Sequence, residues 1–317
     1  MDTDGFLRSA LAEDLGDAGD VTSAATIPED ARVSGHIVAR AGGCIAGLGV
    51  ALRTFTLLDG EVRAEPMLAD GTVVGAGSRL AAVSGPARSI LSAERVALNL
   101  LGHLSGIATA TRALVDRIEG TRARIVDTRK TMPTLRALEK AAVRAGGGGN
   151  HRMGLYDAVL IKDNHVQAVG SVAAAVARAR EALGRAPATV AGPTAADAAS
   201  REAGVGASGA VAGAPGAVAG AGAGGSARMT IEVEIDRLED LEEAIAAGAD
   251  VVLLDNMDPE TMRAAVERAA GRCLLEASGG ITLETVREVA ETGVDMISVG
   301  WITHSAPALD VALDFEV

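Results

Sequence analysis

The sequence has very few lysines. Only Lys130, Lys140 and Lys162 occur, although lysine and arginine together number 29. All three lie in one short stretch of the chain. Lysine is a compact ammonium with mobile donors, whereas arginine is a planar fork, so a site that uses both suits an anion with more than one charged part. Chance in a lysine-poor sequence is the alternative explanation.

Other scarcities exclude whole classes of protein. Aromatic residues make up 2% of the chain, and the net charge is −13. The acidic balance excludes general binding to nucleic acid or to anionic membranes, because their phosphates would be repelled. No apolar run approaches the length of a membrane span. The acidic N-terminal residues lack the apolar segment of a signal peptide.

The two cysteines predict no metal site and no disulfide. Cys44 and Cys273 are far apart and lack the spacing of metal ligands, so we expect buried free thiols in a reducing cytoplasm. At 317 residues the chain is long enough for two domains, or for one large α/β barrel with an addition.

The N-terminal part predicts a helix followed by short strands. Residues from Asp2 to Leu91 contain weakly alternating segments that are broken by glycine turns. An apolar-periodic helix is predicted from Ser92 to Val115, with Ser92 as its N-cap.

From Arg124 on, short apolar strands alternate with helical segments. The strands read RIVD, DAVLI, TIEVEI, VVLLD, CLLEA and DMISVG, and HVQAVGSVAAAVARAREAL predicts one helix after the second strand. This alternation predicts a parallel sheet that is covered by helices.

One segment interrupts the alternation. Residues 186–227 are rich in alanine and glycine and lack large side chains. Such a segment buries too little apolar surface to offset the entropy of ordering, so we predict a flexible insert. We expect its deletion to leave activity nearly intact.

Polar residues cluster where the predicted strands end. They are Asp127, Thr128, Arg129 and Lys130; Lys162, Asp163, Asn164 and His165; Glu232, Glu234 and Asp236; Asp255 and Asn256; Ser278, Gly279 and Gly280; and Gly300, Thr303 and His304. In a parallel barrel these ends converge on one mouth. Ordinary solvated loops explain the polar residues at any single strand end. They explain poorly a set with cations after the early strands, acids after the middle strands and glycine turns after the last strands.

The sorted residues predict three kinds of binding. A dianionic small molecule suits the cations Arg129, Lys130, His151, Arg152 and Lys162. Mg²⁺ suits Glu234 and Asp255, because it prefers a few carboxylates together with water and phosphate oxygens. A terminal phosphate suits the Ser278-Gly279-Gly280 turn and the amide near Gly300. Lys140, which lies mid-helix, is equally compatible with solvent and with substrate contact, and Trp301 with the core and with a wall of the mouth.

Long motifs cover nearly the whole chain outside the alanine- and glycine-rich insert. In order they are EDLGDAGDVTSAATIP, SAERVALNLLGHLSGIAT, DTRKTMPTLRALEKAAVRAGGGGNHRMGLYDAVLIKDNHV, IEVEID, LLDN, ASGGI and VGWITHSA. They resemble the quinolinate phosphoribosyltransferase family, whose members are also called carboxylating nicotinate-nucleotide pyrophosphorylases. The sequence departs from the family pattern at Trp301, where alanine is usual.

The resemblance implies an α/β fold with two parts. An N-terminal α/β sandwich domain would span residues 1–97, with 305–317 returning to it. An incomplete, TIM-like parallel α/β barrel would span 98–304 and contain the insert 186–227. The protein would be a cytoplasmic homodimer that converts quinolinate and phosphoribosyl pyrophosphate to nicotinate mononucleotide, CO₂ and pyrophosphate in NAD biosynthesis, with Mg²⁺. The sequence leaves a hexamer open.

The resemblance also implies roles for individual residues. Quinolinate would be held by Thr128, Arg129, His151, Arg152, Lys162 and, from the neighbouring subunit, Arg95. Phosphoribosyl pyrophosphate would be bound by Lys130, Asp163, Glu234, Asp255, Ser278, Gly279, Gly280, Gly300 and His304. Glu234 and Asp255 would bind the metal, and they would be catalytic together with Lys130 and Lys162.

Two other functions compete with this interpretation. One is a related phosphoribosyltransferase-like paralogue of the molybdenum-transport-associated type, and the set Arg129, His151, Arg152 and Lys162 favours quinolinate over it. The other is a non-catalytic anion-binding protein, which has no need of the metal-binding pair Glu234 and Asp255.

Overall fold

The computed structural model describes residues 2–185 and 229–316 of the chain. The predicted insert 186–227 lies outside the described residues. In chain order the helices are α1 (Thr3–Leu15), α2 (Val21–Thr26), α3 (Leu48–Leu58), α4 (Ala87–Arg117), α5 (Arg136–Ala145), α6 (Asp163–Val169), α7 (Val172–Ala182), α8 (Asp240–Ala247), α9 (Pro259–Ala269), α10 (Val286–Ala290) and α11 (Trp301–His304). The strands are β1 (Arg32–Ala39), β2 (Gly43–Cys44), β3 (Arg63–Pro66), β4 (Val73–Val74), β5 (Arg79–Pro86), β6 (Arg124–Val126), β7 (Val159–Ile161), β8 (Ile231–Ile235), β9 (Val251–Asp255), β10 (Leu274–Ser278), β11 (Met296–Ser298) and β12 (Val311–Phe315).

The chain divides into two compact units. The first comprises Met1–Ala113, Lys130–Gly148 and Trp301–Val317, and the second comprises Leu114–Arg129 and Gly149–Gly300. Each unit therefore contains segments that are distant in sequence. The domain boundary predicted at residue 97 stays a prediction.

An antiparallel sheet organises the first unit. Its strand order is β12-β1-β5-β3, so the C-terminal strand pairs with the first strand of the chain. The core of this unit includes Leu7, Ile37, Phe55, Leu80 and Leu101, which are fully buried. Phe55 is one of only three phenylalanines, so most of this core is aliphatic, as the composition requires.

A six-stranded parallel sheet organises the second unit. Its order is β6-β11-β10-β9-β8-β7, so the first strand of the series pairs with the last. This cyclic order is that of an α/β barrel that is open between β6 and β7. A single parallel bridge from Val126 to Gly149 lies at the open edge of β6. The predicted fold class, an N-terminal sheet domain with an incomplete parallel barrel, is confirmed.

Two of the predicted helices have different limits in the structure. The single helix predicted after the second barrel strand is two helices, α6 and α7, because Gly170 takes φ 106° and Ser171 then caps α7 by accepting from the Ala174 amide over 3.1 Å. Helix α4 begins at Ala87 instead of Ser92. The Ser92 hydroxyl donates to Asp20 over 3.1 Å, so the N-cap prediction is wrong.

Neither Cys44 nor Cys273 forms a disulfide, and both are buried. Among the helices that the structure describes, none combines the length and the apolar character that crossing a membrane requires.

Candidate active site

The carboxyl ends of the barrel strands gather most of the predicted site residues. Because the strands are parallel, these ends lie at one edge of the sheet. In the second unit this edge carries Thr128 and Arg129 after β6, Lys162 and Asp163 after β7, Glu234 in β8, Asp255 at the end of β9, Ser278, Gly279 and Gly280 at and after β10, and Gly300 after β11. Within this unit these residues therefore lie at one edge of the sheet, and their convergence on one substrate stays a prediction.

Three predicted residues belong to the first unit. Arg95 is exposed on α4, in a groove with Glu13 and Asp14. Lys130 and His304 are also exposed, and His304 Nδ1 lies 2.6 Å from the Ser305 hydroxyl. All three side chains are therefore accessible.

The loop that carries Lys130 is held from two sides within the first unit. The Thr303 hydroxyl donates to the Lys130 carbonyl over 2.7 Å. The buried carboxylate of Glu139 accepts from the Met132 amide over 3.1 Å and lies 2.8 Å from His103 Nε2. These bonds fix the backbone at the carbonyl of the lysine and two residues after it. Lys140, whose environment the sequence left open, is fully buried, so it is no solvated surface lysine.

The segment Gly149–Arg152 occupies the open edge of β6. The Gly149 amide donates to the Ile125 carbonyl over 2.8 Å, and the Asp127 amide donates to the Gly149 carbonyl over 3.2 Å. The Asp127 carboxylate, fully buried at the end of β6, then accepts from the Asn150 side chain over 2.6 Å and from the His151 amide over 2.9 Å. The segment Gly149–Arg152 is too short to form a regular strand, but these bonds anchor it to the edge of the barrel.

Both ring nitrogens of His151 bond to the protein. The Arg152 amide donates to Nδ1 over 2.8 Å, so Nδ1 offers a lone pair and the ring proton lies on Nε2. Nε2 in turn donates to Glu232 Oε2 over 2.8 Å, and Glu276 Oε2 lies 3.7 Å away. His151, Glu232 and Glu276 are all buried. Of these three, the sequence singled out His151 as a substrate ligand.

Arg152 is a buried cation with a second cation nearby. Its guanidinium donates from Nη1 to the Ala158 carbonyl over 3.3 Å, and the residue is 8% exposed. Burial and the positive charge of Arg129 lower the pKa of Arg152, while Glu232 and Asp157 raise it. Two guanidinium groups that repel each other are costly together unless an anion binds between or beside them. This pair is therefore suited to a carboxylate ligand.

Lys162 forms an ion pair with Glu234 across neighbouring strands. The ammonium at the end of β7 contacts Glu234 Oε2 on β8, with side chains that are 45% and 15% exposed. The backbone amide of Lys162 also donates to His165 Nδ1 over 3.0 Å, which fixes the start of α6. One predicted substrate ligand and one predicted metal ligand therefore neutralise each other in this structure.

The turns after β9 and β10 are locked together. The Asn256 amide donates to the Ser278 carbonyl over 2.9 Å, and the Asn256 side chain donates to Asp255 over 2.7 Å. Gly279 has φ 99°, and a Cβ there would overlap the Asn256 side-chain oxygen. Only glycine fits this turn, which leaves its backbone amides accessible for an anion.

The buried acids Glu232 and Glu276 were not assigned a role from the sequence. Burial and the charge of Glu232 raise the pKa of Glu276 to about 8, and His151 lowers it. Neither carboxylate oxygen of Glu276 has a hydrogen-bond partner among the described residues. The signal that was available is a glutamate inside an otherwise apolar barrel strand, in IEVEI and again in LLEA.

Family models match almost the whole chain. The model described as quinolinate phosphoribosyl transferase, N-terminal domain, matches residues 20–105, and the corresponding C-terminal domain model matches residues 107–203 and 210–314. The barrel, its strand-end residues and these matches define a phosphoribosyltransferase. More specifically, the chain belongs to the quinolinate phosphoribosyltransferase family.

Individual relatives agree with this assignment. The carboxylating nicotinate-nucleotide pyrophosphorylase of Mycobacterium leprae (strain TN) is 41% identical over 313 residues, covering 97% of this chain and 95% of that protein. The chloroplastic carboxylating enzyme of Arabidopsis thaliana is 37% identical over 330 residues, covering 99% and 83%. The crystal structure of NadC from Streptococcus pyogenes has a TM-score of 0.81 and 36% identity, covering 98% of this chain and 95% of that one.

Proposed function

We propose that the protein transfers the phosphoribosyl group of phosphoribosyl pyrophosphate to the ring nitrogen of quinolinate. The products are nicotinate mononucleotide, CO₂ and pyrophosphate. The observation that carries this proposal is the buried guanidinium of Arg152, with the charge of Arg129 near it, in the unit that also presents Lys162. A dianion with two carboxylates relieves the repulsion between the arginines and can accept from Arg152 Nε, which has no hydrogen-bond partner among the described residues.

The reaction needs charge stabilisation and alignment. The bond from ribose C1 to the pyrophosphate oxygen breaks, and its electron pair leaves with pyrophosphate. The quinolinate nitrogen lone pair then forms the new bond to C1. Arg129 and Arg152 hold the carboxylates so that this nitrogen is in line, and Lys130 neutralises negative charge on the departing group.

Decarboxylation follows on the same ring. The bond between C2 and its carboxylate breaks, its electron pair stays on C2, and C2 takes up a proton. Lys162 and the arginines stabilise the negative charge on the ring while CO₂ leaves. The amides of the Ser278-Gly279-Gly280 turn and of Gly300, together with His304, bind the 5′-phosphate, and Asp163 and Thr128 complete the two substrate sites.

Mg²⁺ is the metal that this site suits. Glu234 and Asp255 are half-buried carboxylates on the neighbouring, paired strands β8 and β9. These are the hard oxygen ligands that Mg²⁺ prefers, and they leave positions for water and phosphate oxygens. We propose that they hold the ion, which would neutralise the pyrophosphate charge.

The proposed site is completed by a second copy of the chain. Arg95 is exposed on α4, consistent with a role on the quinolinate of its neighbour in a homodimer. We place the protein in a reducing cytoplasm, because neither of its two buried cysteines forms a disulfide.

A labelled-substrate assay tests the function. Purified protein, Mg²⁺, phosphoribosyl pyrophosphate and quinolinate labelled in its 2-carboxylate should release labelled CO₂ and one equivalent of nicotinate mononucleotide. Arg152→Lys is the matched control, since it keeps the charge but loses the fork, and it should lower turnover strongly. Tight quinolinate binding without either product would identify a non-catalytic binding protein and refute the proposal.

A further inference from the structure

The buried group formed by His151, Glu232 and Glu276 lies beside the proposed quinolinate ligands. The three residues are 7%, 2% and 1% exposed. His151 uses Nδ1 to accept from the Arg152 amide and Nε2 to donate to Glu232, each over 2.8 Å. A ring whose two nitrogens are both engaged has no donor left for a substrate carboxylate. A direct ligand role for His151 therefore conflicts with its contacts.

We infer that Glu232 is a positioning residue that acts through His151 to hold Arg152 on the substrate, an inference that rests on the proposed function. Glu232 accepts from Nε2 and thereby keeps the ring proton there. Nδ1 then stays an acceptor, and its bond from the Arg152 amide fixes the backbone from which the guanidinium extends. Asp127 fixes the preceding amide of the same segment over 2.9 Å.

A bound metal is a weaker explanation of this group. One nitrogen and two carboxylate oxygens do lie within 4.8 Å of one another, as metal ligands can. Metal binding through Nε2 needs a lone pair there and would move the ring proton to Nδ1. The Arg152 amide already donates to Nδ1. With a proton on Nδ1, the Arg152 N–H and the Nδ1–H would face each other with no acceptor between them.

The charge of Glu232 also acts on the Arg152 guanidinium. It is among the groups that raise the pKa of Arg152, against the opposing effect of Arg129. Glu232 therefore offsets part of the cost of burying a guanidinium, and it also orients the backbone from which that guanidinium extends. Both effects change the affinity for quinolinate, and neither changes the affinity for phosphoribosyl pyrophosphate.

The kinetic test separates quinolinate from the second substrate. We expect Glu232→Ala to raise the KM for quinolinate by about 10- to 100-fold, as misplacement of a positioning group does. The KM for phosphoribosyl pyrophosphate should not change. His151→Ala should raise the KM for quinolinate by the same factor as Glu232→Ala. The double variant should raise it no further than either single variant does. Additive losses would overturn the inference.

Conservative and distant variants control for general damage. In Glu232→Gln the amide oxygen still accepts from Nε2, so most of the quinolinate affinity should return. A Glu232→Gln variant as impaired as Glu232→Ala would contradict the acceptor role. Glu267→Ala, an exposed acid on α9, should match the wild-type protein.

A spectroscopic test needs no variant of the acids. Nitrogen-15 NMR of labelled histidines, with His151 assigned by its loss in His151→Asn, should show a protonated Nε2 and an unprotonated Nδ1. This pattern should persist at saturating quinolinate. A doubly protonated or Nδ1-protonated ring in the complex would place His151 on the substrate and overturn the inference. Failure of the wild-type protein to bind quinolinate in parallel calorimetry would instead contradict the proposed function.

Discussion

The ion pair between Lys162 and Glu234 predicts that removing the acid tightens quinolinate binding. In the free protein the ammonium is engaged by Glu234. A quinolinate carboxylate must therefore displace the glutamate before Lys162 can bind it. In Glu234→Gln the lysine is released, and that displacement is no longer required.

The size of the effect follows from exposure. Lys162 is 45% exposed and Glu234 15%, so solvent screens the pair. Pairs of this kind contribute at most about 1 kcal/mol, which corresponds to about a fivefold lower Kd for quinolinate. Calorimetric titration of quinolinate into protein without phosphoribosyl pyrophosphate measures this Kd directly.

A variant of a second acid shows whether tighter quinolinate binding comes from release of Lys162 or from the loss of one negative charge. Asp255→Asn also removes one negative charge at the mouth, but Asp255 bonds to Asn256 over 2.7 Å. We expect it to tighten quinolinate binding less than Glu234→Gln does. Equal effects of the two variants, or unchanged or weaker binding by Glu234→Gln, would refute the reasoning.

The same ion pair couples the two substrates. If Mg²⁺ and phosphoribosyl pyrophosphate engage Glu234, they release Lys162 and raise the affinity for quinolinate. Linkage then requires that quinolinate raise the affinity for phosphoribosyl pyrophosphate by the same factor.

Three further predictions concern stability, the phosphate turn and assembly. Because the pKa of Glu276 is raised to about 8 in the folded protein, the contribution of this carboxyl to wild-type stability should fall by about 1.4 kcal/mol per pH unit between its unfolded and folded pKa values; denaturant titrations of Glu276→Gln should lack this contribution to the slope. Gly279→Ala should raise the KM for phosphoribosyl pyrophosphate, because its Cβ overlaps Asn256 at φ 99°; an unchanged KM would contradict the phosphate role of the turn. Arg95→Ala and Arg129→Ala should each lose activity and recover part of it on subunit exchange; no recovery would count against a shared site.

The sign of the pH effect follows from proton uptake. Between pH 4.5, the ordinary pKa of glutamate, and about 8, folded Glu276 keeps a proton that the unfolded chain has lost. The contribution of Glu276 to stability therefore decreases as pH rises through that window and is level above it. Parallel pH profiles for the wild-type protein and Glu276→Gln would show that this carboxyl titrates normally.

The alternation of strands and helices was enough to predict the barrel. The strands are short apolar runs in a sheet buried on both faces, such as VVLLD, of which four residues are buried. The strand ends then predicted that Arg129, Lys162, Glu234 and Asp255 would lie at one edge of that sheet. Helix limits were harder to predict, because Gly170 and Ser171 end one helix and start another without interrupting the apolar pattern.

The buried acids could not be given a role from the sequence. Glu232 and Glu234 are both polar positions in one strand, yet one is buried on His151 and the other pairs with Lys162 at the mouth. How deeply each side chain is buried depends on its distance from the end of the strand, which the sequence pattern does not give. Likewise, the use of both His151 nitrogens depends on the Arg152 amide, a backbone contact that no residue pattern specifies.

The most direct test of the account is the discrimination between quinolinate and nicotinate, which lacks the 2-carboxylate. Calorimetry on the wild-type protein should give much tighter binding of quinolinate, and Arg152→Ala should lose most of that preference. Equal affinities for the two acids in the wild-type protein, or a preference that survives in Arg152→Ala, would contradict the claim that these cations are arranged for a dicarboxylate.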